Sequence, residues 1–313
     1  MGGTLGKLDA AAPELAKQAL GPPDRLCRPS RQAPHMLDGL ALTVRTSLLM
    51  ALLAALGALL VWVGTYQVDF TSWFDRGVQA GFTGLVDTRV GAVADRLVHL
   101  GDPIPFALMS LMLIAAALVR RRPRSALMAM AILGGANVTT QVLKHLTEGP
   151  RAYDMGAELW PSGHTTGAMT LALCLVLIVP RRHRPMAAAI GGCFTVAVIY
   201  SLMVLGHHLP SDSVAALLVA TSWTFLMLAV ARLAERRWPS PVRREPALSP
   251  AAVLWPVAEV AVFAMIAIVG IAASRPGQVL AMASAQTSFV IGAPLLGALA
   301  LVLAGGVALS LRR

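Results

Sequence analysis

Residues 46–67 read TSLLMALLAALGALLVWVGTYQ, twenty-two positions without a charged side chain. As an α-helix such a stretch is roughly 33 Å long, enough for a hydrocarbon layer of about 30 Å. Seven more apolar segments follow, at about 103–119, 125–143, 164–180, 186–205, 212–233, 251–273 and 288–310. Across 313 residues the chain is 56% hydrophobic and 13% charged, with a mean hydropathy of +0.67, which excludes an ordinary soluble domain. The expectation is an all-α polytopic membrane protein of about eight transmembrane helices.

The charges between these segments carry orientation. Arg120–Arg122 with Arg124, then Arg181, Arg182 and Arg184, then Arg236, Arg237, Arg243 and Arg244, and finally Arg312 and Arg313 occupy every second connection. Arginine-rich connections stay in the cytoplasm. With the basic tail 1–45 (Lys7, Lys17, Arg25, Arg28, Arg31), the alternation puts both termini in the cytoplasm. The net charge of +10 follows from the same bias. It does not imply nucleic-acid binding, because no surface interleaves the basic residues with aromatics. Cys27, Cys174 and Cys193 suggest neither a disulfide nor a metal site.

The organisation expected is a tail (1–45) with a short amphipathic helix near 8–20, a six-helix core (46–233), a proline- and arginine-rich linker (234–250) and a two-helix appendage (251–313). The first outer connection, 68–102, is amphipathic. Trp73, Phe74, Val78, Phe82, Leu85 and Val86 recur at helical spacing among Asp75, Arg76, Asp87 and Arg89, as in a helix lying on a membrane surface.

Chemistry gathers in the next two outer connections. Ser162 is a good helix N-cap, and Gly163 lets a ligand approach the backbone where Pro161-Ser162-Gly163-His164 opens a helix. Free N–H groups and a positive dipole end favour an anion there. Lys144 ends the preceding helix and Arg151 follows Gly149-Pro150; two cations suit phosphate oxygens, the guanidinium forking onto two. His208 and Asp212 flank Pro210 at the next helix start. A carboxylate beside an imidazole fixes its tautomer, so the other nitrogen can attack or bind; His207 is a neighbour that competes for the role. Taken singly, each set also reads as an ordinary cap, a snorkelling cation or a loop histidine. Asn137 and Gln141 read as bridges between helices, and Glu259 as a carboxylate near the cytoplasmic end of its segment.

The three sets together resemble the type 2 phosphatidic acid phosphatase superfamily, whose members share Lys-x6-Arg-Pro, Pro-Ser-Gly-His and Ser-Arg-x5-His-x3-Asp. This chain has Lys144-x6-Arg151-Ala152, Pro161-Ser162-Gly163-His164 and Ser201-Leu202-x5-His208-x3-Asp212. The resemblance covers about 46–233. It implies that His208 is the nucleophile forming a phosphohistidine, with Asp212 orienting it. It further implies that His164 protonates the leaving oxygen and then helps activate water. Lys144, Arg151, Ser162 and the Gly163 N–H would bind phosphoryl oxygens. No metal or other cofactor is expected. The implied activity is metal-independent hydrolysis of a lipid phosphate or polyprenyl diphosphate of the cell envelope. The partners implied are the lipid substrate and the bilayer of the plasma membrane, with the site facing outward. The alternatives are a lipid phosphotransferase using the same site, or a catalytically weakened lipid-binding or scaffold relative.

Two positions depart from the pattern. Ala152 replaces a turn proline, and Leu202 replaces an arginine that in the family contacts phosphate. Losing such a clamp costs on the order of 2–4 kcal/mol of transition-state stabilisation, about 10²–10³ in rate. Arg76, Arg89, Arg96 and Arg275 are the outer-face candidates to replace it.

Overall fold

The computed structural model describes residues 43–147, 160–238, 248–274, 277, 281 and 284–311. The expected tail helix near 8–20 and Arg151, Ala152 and Arg275 lie outside them. Ten α-helices fall within the described residues: α1 Val44–Gln67, α2 Asp69–Thr83, α3 Arg89–Val98, α4 Pro103–Val119, α5 Pro123–Thr147, α6 Gly163–Ile178, α7 Arg184–Val204, α8 Pro210–Arg237, α9 Pro250–Ser274 and α10 Thr287–Ser310. All eight apolar segments of the sequence are helical. By length and composition α1, α5, α7, α8 and α10 can each cross a membrane. The α3–α4 pair, bent by 58° at its break, makes a sixth; α6 and α9 carry shorter apolar stretches.

α1 shows why the bundle forms. Thr43 caps it, accepting from Thr46 N–H at 3.2 Å. Ser47, Ala51, Ala54 and Ala58 are buried along one stripe, while Leu48, Leu49, Leu52, Leu53 and Leu60 are exposed. Small residues let the helix lie close against α8, where the Ser222 hydroxyl donates to Ala51 O at 2.9 Å. Leucines turned outward suit a lipid solvent, since water would penalise so large an apolar face. α6 is the central helix, buried from Thr165 nearly to its end and packed by α5, α7, α8, α4 and α10.

The two ends of the bundle differ in chemistry. At one end arginines meet helix-terminal carbonyls: Arg122 donates to Ile178 O (3.4 Å), Arg124 to Trp238 O (2.7 Å) and Arg184 to Leu311 O (2.6 Å). Arg124 also pairs with Glu235 at 2.7 Å. The alternation of basic connections along the sequence is therefore a gathering in space. α8 runs to Arg237, into the stretch expected as linker, and this end anchors it. The other end holds the 99–102 turn, the end of α5 with Trp160, and the 205–209 loop.

The 68–102 connection differs from the expected surface helix. It forms two helices, broken where Thr88 begins a new cap by accepting from Val90 N–H at 3.1 Å. Val78 and Phe82 are buried with Ala94 and Val98 against Leu202, Met203 and Val204 of α7. Phe82 also meets Tyr200 and, edge-on, Phe289 of α10, with ring centres 5.0 and 4.9 Å apart. Only the start of α2, with Phe70 and Trp73, keeps an exposed aromatic face. A protein surface thus covers the Val78 and Phe82 part of the stripe that the sequence assigns to lipid, while Trp73 and Val86 stay exposed.

Candidate active site

α7 ends in a helix-stop geometry that delivers the next residues to the site. His207 N–H donates to Leu202 O (3.0 Å) and Gly206 N–H to Met203 O (3.1 Å), with Gly206 left-handed at φ 72°. The chain reverses, and His208 falls just before α8. Pro210 opens α8, where its missing N–H costs nothing. Leu209, at the cap position, has no side-chain acceptor, so Asp212 supplies one from three residues on. Its Oδ2 accepts from Leu209 N–H at 2.9 Å and from His208 Nδ1 at 3.1 Å. A carboxylate only accepts, so Nδ1 carries the proton and Nε2 the lone pair. His208 is 0% exposed and Asp212 3%. A phosphate therefore reaches Nε2 only when neighbouring atoms give way.

Ser162 and Gly163 stand beside this pair. Ser162 N–H donates to Asp212 O at 3.2 Å, which ties the two helix starts together. The Ser162 hydroxyl caps α6 by accepting from Thr165 N–H at 3.3 Å. Thr165 in turn meets Ser213 (3.3 Å), and Thr166 meets Thr140 of α5 (2.9 Å). The start of α6 is thereby held to α5 and α8. A methyl group built on Gly163 would lie 3.9 Å from Lys144 Nζ and 3.7 Å from Gln141 Nε2. The open face of the glycine is therefore flanked by an ammonium and an amide from one side of α5. Gln141, expected only to bridge helices, belongs with Lys144 here.

His164 lies one residue into α6 and faces the 99–102 turn. Its ring rests on Gly101, where an added Cβ would sit 2.5 Å from His164 Cδ2. Nε2 is 3.5 Å from Asp102 Oδ1, and the other oxygen of Asp102 is 2.9 Å from His99 Nδ1. The hydrogen bond with His99 holds the Asp102 carboxyl below its ordinary range and raises His99.

α2 grips the 206–211 loop from outside. Gln79 Nε2 donates to Gly206 O (3.3 Å) and His208 O (3.2 Å). Asp75 accepts from Ser211 N–H (2.9 Å) and from its hydroxyl (2.5 Å). Burial pushes the Asp75 carboxyl up to about 7, against those hydrogen bonds and with the nearby Asp212 charge adding to it. Asp75, Gln79, Asp102 and His99 carry no motif of their own in the sequence. The one signal was Asp102-Pro103-Ile104-Pro105, a cap residue whose helix lacks two early N–H donors.

Leu202 is 0% exposed inside the cluster made by α2, α3 and α7. Its position is a packed core site here, and Arg76, Arg89 and Arg96 are exposed on α2 and α3. The structure thus brings Lys144, Ser162, Gly163, His208 and Asp212 into one cluster, with His164 at its edge. Among the described residues no group of three or more His, Cys, Asp or Glu side chains is arranged to hold a metal ion.

The sequence profile of the PAP2 superfamily matches residues 124–238, which span all of these motif positions. No curated protein sequence matches the chain. Among solved structures, one similar chain is the crystal structure of a transmembrane PAP2-type phosphatidylglycerolphosphate phosphatase from Bacillus subtilis. The TM-score is 0.50 and the identity 20%, over 62% of this chain and 99% of that one. At that identity the likeness is one of fold. Over residues 124–238 the chain is similar to the PAP2 superfamily, and it is built as an all-α, multi-pass membrane protein.

Proposed function

We propose that the protein hydrolyses a lipid phosphate or polyprenyl diphosphate through a phosphohistidine on His208. One observation carries the reading: the buried His208–Asp212 pair is hydrogen-bonded to the Ser162-Gly163 helix start, with Lys144 alongside. Phosphoryl transfer asks mostly for positioning and charge stabilisation, and these groups supply both.

In the first step Nε2 of His208 attacks phosphorus. A P–N bond forms as the P–O bond to the lipid breaks, and the leaving oxygen takes a proton from His164. Asp212 stabilises the positive charge on the imidazole. Lys144, Arg151, the Ser162 hydroxyl and the Gly163 N–H hold the non-bridging oxygens. In the second step water attacks, His164 takes its proton, the P–N bond breaks and phosphate leaves. Each step is balanced by these side chains and water alone.

The arginine-bearing end of the bundle faces the cytoplasm in this reading, and the site faces outward at headgroup depth. The chain crosses eight times, with both termini inside. The buried Leu202 favours one further reading, a relative weakened by the loss of a phosphate clamp and retained for lipid binding. The same site could also serve transfer to a lipid acceptor.

Phosphate release by the purified protein, on polyprenyl diphosphate, phosphatidic acid and phosphatidylglycerol phosphate, separates these. Release without added metal that vanishes in His208→Ala supports hydrolysis. Phosphate passed to an added acceptor supports transfer. Binding of these lipids with neither outcome supports the weakened relative.

A further inference from the structure

Asp102 lies outside the family segment, yet its carboxylate is the charge that the structure sets against His164. The local sequence explains why it is available. An N-cap aspartate ordinarily accepts from the N–H two or three positions on. Here Pro103 and Pro105 have no N–H, and the Asp102 side chain makes no capping bond to α4. Its backbone carbonyl still starts the helix, accepting from Phe106 N–H at 3.0 Å. The carboxylate is left to turn toward the neighbouring imidazoles, Oδ1 toward His164 Nε2 and Oδ2 toward His99 Nδ1.

Gly101 completes the arrangement. Any side chain there would overlap the His164 ring, so glycine lets the imidazole lie flat against the backbone with one edge toward Asp102. The tight turn His99–Gly101 fixes the spacing, with Asp102 N–H donating to His99 O at 3.2 Å. Among the described residues, Lys144 of α5 lies beside Gly163, and Asp212 of the His208–Asp212 pair accepts from Ser162 N–H, so both charges stand next to the helix start that carries His164.

We infer that Asp102 is the positioning residue for His164. It holds Nε2–H and favours the imidazolium, so that the proton delivered to the leaving oxygen departs from Nδ1. The site then contains two histidine–carboxylate pairs of different purpose. Asp212 prepares a lone pair on His208 for attack. Asp102 keeps a proton on His164 for donation. This inference rests on the reading of His164 as the proton donor.

The test is Asp102→Asn, and it has two arms. The first compares an alkyl phosphate lipid, whose leaving group needs a proton, with p-nitrophenyl phosphate, whose leaving group departs without one. General acid catalysis is worth about 10²–10⁴. Read as leaving-group release in the first turnover, before the water step that also uses His164, Asp102→Asn should be about 30-fold slower on the lipid and less than about threefold slower on the aryl phosphate. His164→Ala should show the same contrast, and adding Asp102→Asn to it should cost little more. Equal losses on both substrates would mean a merely structural role and would overturn the inference.

The second arm is the His164 ring titration by NMR in the full-length protein, read against His164→Ala for assignment. Removing the carboxylate should lower its midpoint by about one pH unit. An unchanged midpoint would overturn the inference, whatever the enzyme does. If the wild type hydrolyses neither substrate, the proposed function fails, and the titration alone decides the Asp102–His164 link.

Discussion

Replacing Asp212 by asparagine should be far milder than replacing it by alanine, and the structure says why. One oxygen, Oδ2, accepts both from His208 Nδ1 at 3.1 Å and from Leu209 N–H at 2.9 Å. An asparagine oxygen in that place keeps both bonds, and with them the tautomer that leaves the lone pair on His208 Nε2. Only the negative charge is lost. A hydrogen bond to a charged partner is worth about 1.5–3 kcal/mol against about 1 for a neutral one. The imidazolium-like transition state therefore loses about 1–2 kcal/mol, a fall in kcat of roughly 5–30-fold. Alanine removes both bonds. The Leu209 N–H is left buried without its acceptor, at about 1–3 kcal/mol of stability, and His208 is no longer oriented. The expected loss in rate is then on the order of 10³–10⁴. Phosphate release measured on both variants, with thermal unfolding in detergent as the control for folding, gives the comparison. Asp212→Asn as inactive as Asp212→Ala would refute the argument, because the shared oxygen would not then be what sets the tautomer.

Other perturbations have equally definite outcomes. Leu202→Arg restores the family's motif on paper but puts a guanidinium in the cluster of Val78, Phe82, Val98 and Met203. It should destabilise the protein by several kcal/mol, at least as much as the roughly 2–5 expected for Leu202→Ala, and should not raise phosphate release. A stable and faster Leu202→Arg would contradict the packing assignment. Gly101→Ala forces a methyl to 2.5 Å from His164 Cδ2, so the imidazole must swing away. Turnover should fall by about 10²-fold with little change in the unfolding temperature. Asp75, pushed up to about 7 from an ordinary 3.8, contributes its full stability below about pH 4 and loses it as pH rises through 7. The span is on the order of 4 kcal/mol, and Asp75→Asn should flatten the fall in thermal stability between pH 5 and pH 8. An unchanged pH slope would show that Asp75 is not the group responsible.

Much of this was legible in the sequence, because membrane helices announce themselves by composition. Residues 46–67 needed only their length and the absence of charge, and the arginine clusters marked one end of the bundle before any packing was known. The motif residues were legible for a related reason: helix starts carry their chemistry in short, ordered strings, and Ser162, Gly163, His208 and Asp212 fall at two adjoining helix starts. What the sequence hid depends on contacts between distant segments. Phe82 and Val78 had the spacing of a surface helix, and nothing local says that the partner of that stripe is α7 and α10 rather than lipid. Leu202 read as an arginine lost from the site, but its burial against α2 and α3 is a tertiary fact. Asp102 and Gln79 reach His164 and the His208 loop across gaps of more than sixty and more than one hundred and twenty residues, and no periodicity marks such a pair.

The central claim is the covalent step at His208, and trapping it is the most direct measurement. The purified protein is mixed with a lipid phosphate labelled in its phosphorus, quenched within the first turnovers at alkaline pH, digested and mapped by mass spectrometry. The account predicts one phosphopeptide, stable in base and labile in acid, with the phosphate on His208 and absent from His208→Ala. Steady turnover with no phosphohistidine, or with the label on another residue, would contradict it.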